Sequence, residues 1–255
     1  FFQAHAGIPD PLWSRGLGDV YKRQGDPSLL TLAAVDAIQE STVVSYPVST
    51  RGGDSLAEKI ASKWITKDKK KLPLHFPMVD DQNTLKSAWR VAGRELMKMV
   101  DKGERVVFLA QGDISLFSTG SYLSKELEKY HPECVVKLIP GVTSFSAAAA
   151  KSKLPLAFQE EELLVLPVPD SYDELKSILS DAASKKRVVV LLKLGKKWEW
   201  VKLLLEELDL IKISIFAERI GFSDQQILRA SELPSGTRPY FSLLLIRQSW
   251  PLTMP

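Results

Sequence analysis

Apolar positions along the chain switch repeatedly between helical spacing and unbroken runs, and this alternation defines the fold class. Leu29, Leu30, Leu32, Ala33, Ala37 and Ile38 make a helical stripe over residues 28–39. A β-branched run follows at 42–46. Asp54 is placed to cap a helix over 54–65, with Leu56, Ile60 and Trp64 on one face. Residues 72–78 read as extended, and 82–100 as a long amphipathic helix. The run RVVFLA at 105–110 suits a parallel strand buried on both faces. A helix over 121–130 and a strand over 135–139, stopped by Pro140-Gly141, complete the first half.

The second half repeats the alternation with different content. An Ala-rich helix is predicted over 143–151, a strand over 163–168 and a helix over 171–183 with Asp173 and Glu174 in its first turn. RVVVLLK at 187–193 is the strongest strand signal. A helix over 198–208, a strand over 212–216, a polar loop (ERIGFSDQQ) and a last strand over 240–247 follow. Such alternation implies an α/β protein: two α/β domains, 25–140 with a mainly parallel sheet and 141–255 with a mixed one. Residues 1–24 fit neither period. With no charged start ahead of an apolar core they are not a signal peptide. GLGDVYKRQ resembles translated adapter sequence, so 1–24 are read as a non-native leader.

Composition narrows the function classes. The 255 residues carry 34 Lys plus Arg against 31 Asp plus Glu, a net charge of +3, too small to argue for nucleic acid. No apolar run is long enough to span a membrane. A single cysteine, Cys134, excludes a disulfide framework and places the chain in a reducing compartment, the cytoplasm. His5 falls in the leader, and His75 and His131 lack partners at ligand spacing, so no metal site is expected. There is no Walker A loop, no GxGxxG, no GxSxG and no HExxH. The basic run at 67–71 reads as a solvated turn.

Ligands of open α/β sheets bind beyond the carboxyl ends of the strands, and three strand ends here carry small, turn-prone or polar residues. After RVVFLA come Gln111, Gly112, Asp113, Leu116, Ser118 and Thr119. Glycine permits close backbone approach, Asp113 can accept hydrogen bonds, and Ser118 or Thr119 can cap the next helix. After 135–139 come Thr143 and Ser144, opening a helix whose free N–H groups suit an anionic group. After 212–216 come Glu218, Arg219 and Gly221, for which a plain surface ion pair is the competing reading. Taken singly, each is also explained as an ordinary turn and cap.

Together these segments resemble the tetrapyrrole methylase family. The matching pieces are GDPSLLTLAAVDAI, SYPVS, FLAQGDISLFSTGSYL, LIPGVTSFSAAAAKSKLPLA, VVVLLKLG and AERIG, in order over 25–247. Tyr46-Pro47-Val48, the Ser118-Thr119 ending of the GD loop and IPGVTSFSAAAA followed by LPLA are most similar to the branch that methylates precorrin-2 at C20. The resemblance implies a homodimer, an S-adenosylmethionine cleft between two α/β domains, and a tetrapyrrole substrate rich in carboxylates. By motif, Pro27, Gln111, Gly112, Asp113, Leu116, Ser118, Thr119, Thr143, Ser144, Lys193, Arg219 and Gly221 would contact the cofactor. Arg51 and Tyr46 would contact the substrate, and no residue is assigned a catalytic role. Other readings are a methylase acting on a different ring carbon and a non-catalytic binding remnant. Two departures stand out: of the GxGPGDP loop only Gly25-Asp26-Pro27 is present, and the GD loop reads GDIS where GDPS is common, a change expected to loosen it.

Overall fold

The computed structural model describes residues 3–4 and 26–249. The rest of the leader, and Gly25 of the first motif, lie outside the described residues. The chain divides into two compact units, Phe1–Thr143 and Ser144–Pro255.

In the first unit four strands are ordered β1-β4-β2-β3: β1 (Gln3–Ala4), β2 (Val43–Val48), β3 (Lys70–His75) and β4 (Val106–Phe108). β2 pairs in parallel with β3 (Val43 opposite Lys70) and with β4 (Val43 opposite Val106). Gln3–Ala4 runs antiparallel along the free edge of β4, so the stretch read as lacking a strand contributes one. Prolines fall where the ladders tolerate them. Pro73 is on an edge strand, and Pro47 lies past Ser45, the last β2 residue paired with β4.

Helices cover both faces of this sheet. α1 (Leu32–Glu40), capped by Thr31, and α2 (Leu56–Ala61), capped by Ser55, bury Ala34, Ala37, Ile38, Ala57 and Ala61 against Val44, Val107 and Leu109. α3 (Gln82–Val100), capped by Asp81, and α4 (Thr119–Tyr130), capped by Ser118, bury Ala92, Leu96, Leu123 and Leu127 against Val43, Val106 and Phe108. Small residues on α1 and α2 bring those helices close to the sheet. Larger ones on α3 and α4 fill the other face, as close packing requires.

Several expectations need correction. Ser55 caps α2 while Asp54 pairs with Lys59, and a short 3-10 turn, not helix, precedes α1 at Pro27–Leu29. Lys70 and Lys71 of the basic run belong to β3 and pair with Glu104 and Glu58. Residues 135–139 form no strand, although Ile139 is buried and Cys134 joins the α3–α4 core. The free edge of β4 is taken by Gln3–Ala4, so the apolar run finds no ladder partner, and Val135 and Leu138 remain exposed.

The second unit has five strands ordered β5-β6-β9-β7-β8: β5 (Leu163–Pro167), β6 (Val188–Leu192), β7 (Ser214–Glu218), β8 (Gln226–Arg229) and β9 (Ser242–Ile246). Only β5 and β6 are parallel; β9 runs antiparallel to both β6 and β7. β6 and β9 are buried throughout, which explains their unbroken apolar sequences. β8 begins inside the polar ERIGFSDQQ stretch and ends at Arg229; it is a short edge strand with exposed ends and so lacks the apolar signature. α5 (Ser144–Ser152), α6 (Tyr172–Ser184) and α7 (Trp198–Glu207) complete the unit. Leu175, Leu179, Trp198, Val201 and Leu205 pack on Val189, Leu191, Phe216, Leu244 and Ile246. Trp198 is fully buried and its indole N–H donates to Pro234 O at 3.0 Å. No helix among the described residues is long and apolar enough to cross a membrane.

Candidate functional site

The loop after β4 is tied down by several side-chain hydrogen bonds. Gln111 and Gly112 are buried, and Gly112 sits at φ +74°, a left-handed turn that glycine adopts without strain. Phe117, five residues on, takes φ +51° with a bulky side chain, a conformation that persists only where its surroundings enforce it. Those surroundings are visible. Asp113 Oδ1 accepts from Ser115 N at 2.9 Å and from the Ser115 hydroxyl. Asp113 Oδ2 accepts from Gly141 N at 2.9 Å. Ser121 donates to Ile114 O, and Ser118 Oγ caps α4 by accepting from Gly120 N at 3.1 Å.

Asp113 therefore joins the GD loop to the Pro140-Gly141 loop, bringing together two motifs 28 residues apart. Burial pushes its carboxyl up. The Ser115 hydroxyl, the Gly141 N–H and the Ser115 N–H outweigh burial and hold it below the usual carboxylate range. It ties the two loops together. Ile114, where proline is common in the family, is 2% exposed and packs in the α3–α4 core, so the loop is anchored by burial. Gly120 lies against it: a Cβ there would come within 2.5 Å of Ile114 Cδ1 and 3.3 Å of Ala110 Cβ. Gly120→Ala is expected to destabilise by about 1 kcal/mol through overpacking despite its better helix propensity. A thermal melt checks this, and an unchanged or raised midpoint would show that Ile114 has room to move.

The remaining predicted residues are dispersed. Pro27 is exposed in the turn capped by Asp26, which accepts from Ser28 N at 2.9 Å. Leu116 and Thr119 are half-buried on the GD loop and at the start of α4. Tyr46 packs against the α1–α2 cluster; burial raises its phenol, Glu58 adds to this and Lys71 opposes it. Arg51 is exposed in the turn after β2 and lines an open groove of about 780 Å3 with His75, Pro77, Thr84 and Val91. Tyr46 is not among the lining residues, so the structure does not bring the two predicted substrate residues together. Thr143 is half-buried, and Ser144, buried, opens α5.

In the second unit Lys193 and Arg219 follow β6 and β7, on either side of the start of β9. Their backbones match: φ +63° and +50°, with Lys193 N donating to Ser242 O at 3.1 Å and Arg219 N to Phe241 O at 3.0 Å. Gly221, at φ +86°, donates to Gln225 Oε1 at 3.0 Å. Lys193 Nζ lies 5.8 Å from the Tyr240 ring centre. Arg219 pairs with Asp224 at 2.7 Å and lies over Phe222. The surface pair read between Glu218 and Arg219 does not form. Glu218 is 5% exposed, its carboxyl raised by burial against the pull of Arg238 and Arg219. Sequence reasoning missed its burial; the available signal was an acid closing an apolar strand.

A mainly parallel unit and a mixed unit, each with left-handed turns and buried polar groups at strand ends, define a two-domain α/β protein, and strand ends are where open α/β sheets bind their ligands. The chain belongs to the tetrapyrrole (corrin/porphyrin) methylases, whose family profile matches residues 24–233. It is 29% identical over 228 residues to the cobalt-precorrin-2 C(20)-methyltransferase of Salmonella typhimurium, covering 89% of this chain and 93% of that one. It is 25% identical over 230 residues to the precorrin-2 C(20)-methyltransferase of a Sinorhizobium species, covering 87% and 91%. Its fold is similar to uroporphyrin-III C-methyltransferase of Thermus thermophilus, a structure complexed with S-adenosylhomocysteine, with TM-score 0.57, 24% identity, and 87% and 92% of the two chains covered.

Proposed function

We propose that this chain transfers a methyl group from S-adenosylmethionine to C20 of precorrin-2 or its cobalt-bearing counterpart, a step of cobalamin biosynthesis. The observation that carries this reading is the match to a cobalt-precorrin-2 C(20)-methyltransferase over 93% of that protein's length. The branch-type segments Tyr46-Pro47-Val48, Gly112 to Thr119 and Pro140-Gly141 support it, since two of them are bonded together through Asp113. A cytoplasmic location is supported by the lone buried thiol Cys134, and a homodimer by the family resemblance.

The residues present fit the methyl donor. A buried glycine turn at Gly112 leaves backbone free to approach a ligand. Glu218 offers a buried carboxylate oxygen without a hydrogen-bond partner among the described residues, suited to an amine or hydroxyl and unsuited to a phosphate. Within the first unit, Gln111, Gly112, Asp113 and Leu116 would touch the donor. Bound there, S-adenosylmethionine supplies a methyl group already activated on a sulfonium. The chain's task is then positioning: its loops fix donor and carbon nucleophile and exclude water, which can remove about 7–11 kcal/mol of barrier. Arg51, exposed at the groove beyond β2 and β3, would bind a carboxylate of the substrate by charge-assisted hydrogen bonds.

The test is a calorimetric titration of S-adenosylhomocysteine into this chain and into a variant in which residues 1–24 are replaced by an apolar strand and a GxGPG loop. Micromolar binding is expected, tighter in the second protein by about tenfold or more, roughly 1.4 kcal/mol. Turnover of precorrin-2 with and without cobalt then fixes the substrate. A second protein that binds nothing would sink the methyltransferase reading and favour a remnant without activity. Turnover only on another tetrapyrrole would move the reaction to a different ring carbon.

A further inference from the structure

Two complementary polar groups of the second unit, one of them at the carboxyl end of β7, are left without hydrogen-bond partners among the described residues. Glu218 Oε2 is buried without a hydrogen-bond partner among the described residues, and so is Arg238 Nε, so the two do not bond each other. Both belong to the second unit, and the charge of Arg238 acts on Glu218. Buried polar groups in native proteins are almost always paired, and each exception calls for an explanation.

Neighbouring groups are already committed. Glu218 stands opposite Ser242 in the β7–β9 register. The Ser242 hydroxyl donates to Pro239 O at 2.6 Å and accepts from Gly195 N at 3.4 Å. Arg219 is held by the charge of Asp224, its Nε 2.7 Å from Oδ2, although that Nε makes no hydrogen bond among the described residues. Arg238 spends its backbone N–H on Gly195 O at 3.1 Å and its Nη2 on Pro234 O at 3.2 Å, which fixes the guanidinium and leaves Nε over. Around this corner the chain turns through the left-handed conformations of Lys193, Arg219 and Gly221, and backbone of that kind concentrates at ligand clamps.

We propose that Glu218 and Arg238 receive a ligand edge that presents a hydrogen-bond donor beside an acceptor, Glu218 Oε2 taking the ligand N–H and Arg238 Nε donating to the acceptor. The inference rests on the S-adenosylmethionine reading and deepens it. That molecule has two such edges: the amino group and ring nitrogen of adenine, and the ammonium and carboxylate of its amino-acid end. A phosphate, which offers only acceptors, would leave Glu218 unmatched.

The test uses the full chain, with Glu218→Gln, Glu218→Met and Arg238→Met. S-adenosylhomocysteine, adenosine and L-methionine are each titrated calorimetrically, and melting is recorded without ligand. Glu218→Met and Arg238→Met are expected to weaken S-adenosylhomocysteine about tenfold, and the near-isosteric Glu218→Gln to weaken it less. The unliganded melting midpoint of the Glu218 variants is expected to hold or rise, because burial disfavours the charged form. The half-molecule whose binding falls in parallel, adenosine or methionine, identifies the edge. Unchanged S-adenosylhomocysteine binding in the Glu218 variants, with or without a lower melting midpoint, would overturn the proposal and leave Glu218 a structural group. If neither the wild-type chain nor the protein with the apolar strand and GxGPG loop in place of residues 1–24 binds S-adenosylhomocysteine or either half, the cofactor reading itself has failed; where only the latter binds, the same substitutions are titrated in it.

Discussion

Asp113→Ala is expected to lower methyl transfer about a hundredfold, because a displacement on the order of 1 Å at a positioning loop is enough to do so. The substitution removes the side-chain tie between the two motif loops of the first unit: Oδ2 holds Gly141 N and Oδ1 holds Ser115 N, both at 2.9 Å. Stability should fall by about 1.5–3 kcal/mol, the range for hydrogen bonds to charged groups, with partial exposure favouring the lower end. Asp113→Asn keeps one acceptor oxygen and should fall between. The pH dependence is set by the direction of the shift. The folded carboxyl lies below its unfolded value, so its contribution is present above the unfolded pKa and is lost as pH falls through the folded one. The stability difference between wild type and Asp113→Asn should therefore shrink in acid. Urea melts at neutral pH and at about pH 3 measure this, and a difference independent of pH would remove Asp113 from its role as an ionised tie.

This tie shows where the sequence was informative and where it stopped. α3 occupies the residues its spacing predicts, because one face of nineteen residues is committed to a single core. The strand ends carrying Gly112 and Gly221 were legible for a similar reason, since only glycine takes left-handed backbone without strain. Lys193 and Arg219 adopt the same backbone without that signature, so their turns were invisible. The apolar run at 135–139 misled, because a strand depends on a neighbour the run cannot specify. Glu218 was read either as part of a strand-end ligand site or as half of a surface pair, and which charges are buried depends on how β9 and the loops around it cover the strand end. Asp113 was read as a ligand contact. That its oxygens are already engaged depends on Gly141, 28 residues away, and no local pattern announces a partner at that distance.

Glu161→Gln is expected to be the most damaging single substitution for the second unit. Arg247, just past β9, is 1% exposed at its side chain, and Glu161 is 12% exposed. Arg247 Nη2 donates to both Glu161 oxygens, at 2.6 and 2.5 Å, while Nη1 donates to Pro155 O at 3.1 Å. The guanidinium lies 4.9 Å from the Phe158 ring centre, and Phe158 N donates to Glu161 at 2.8 Å. The sheet thus holds down the LPLA segment at 154–157 through one buried cation. An amide at 161 leaves that cation uncompensated, which costs about 3–5 kcal/mol, or roughly 10 °C in the melting midpoint. Replacing both partners, Glu161→Met with Arg247→Met, removes the orphaned charge and should recover most of that loss, because the burial penalty of two ions disappears with them. Differential scanning calorimetry of the single and double variants decides the matter. A single variant that melts within about 2 °C of wild type, or a double variant worse than the single, would show that the pair is not what fixes this segment to the sheet.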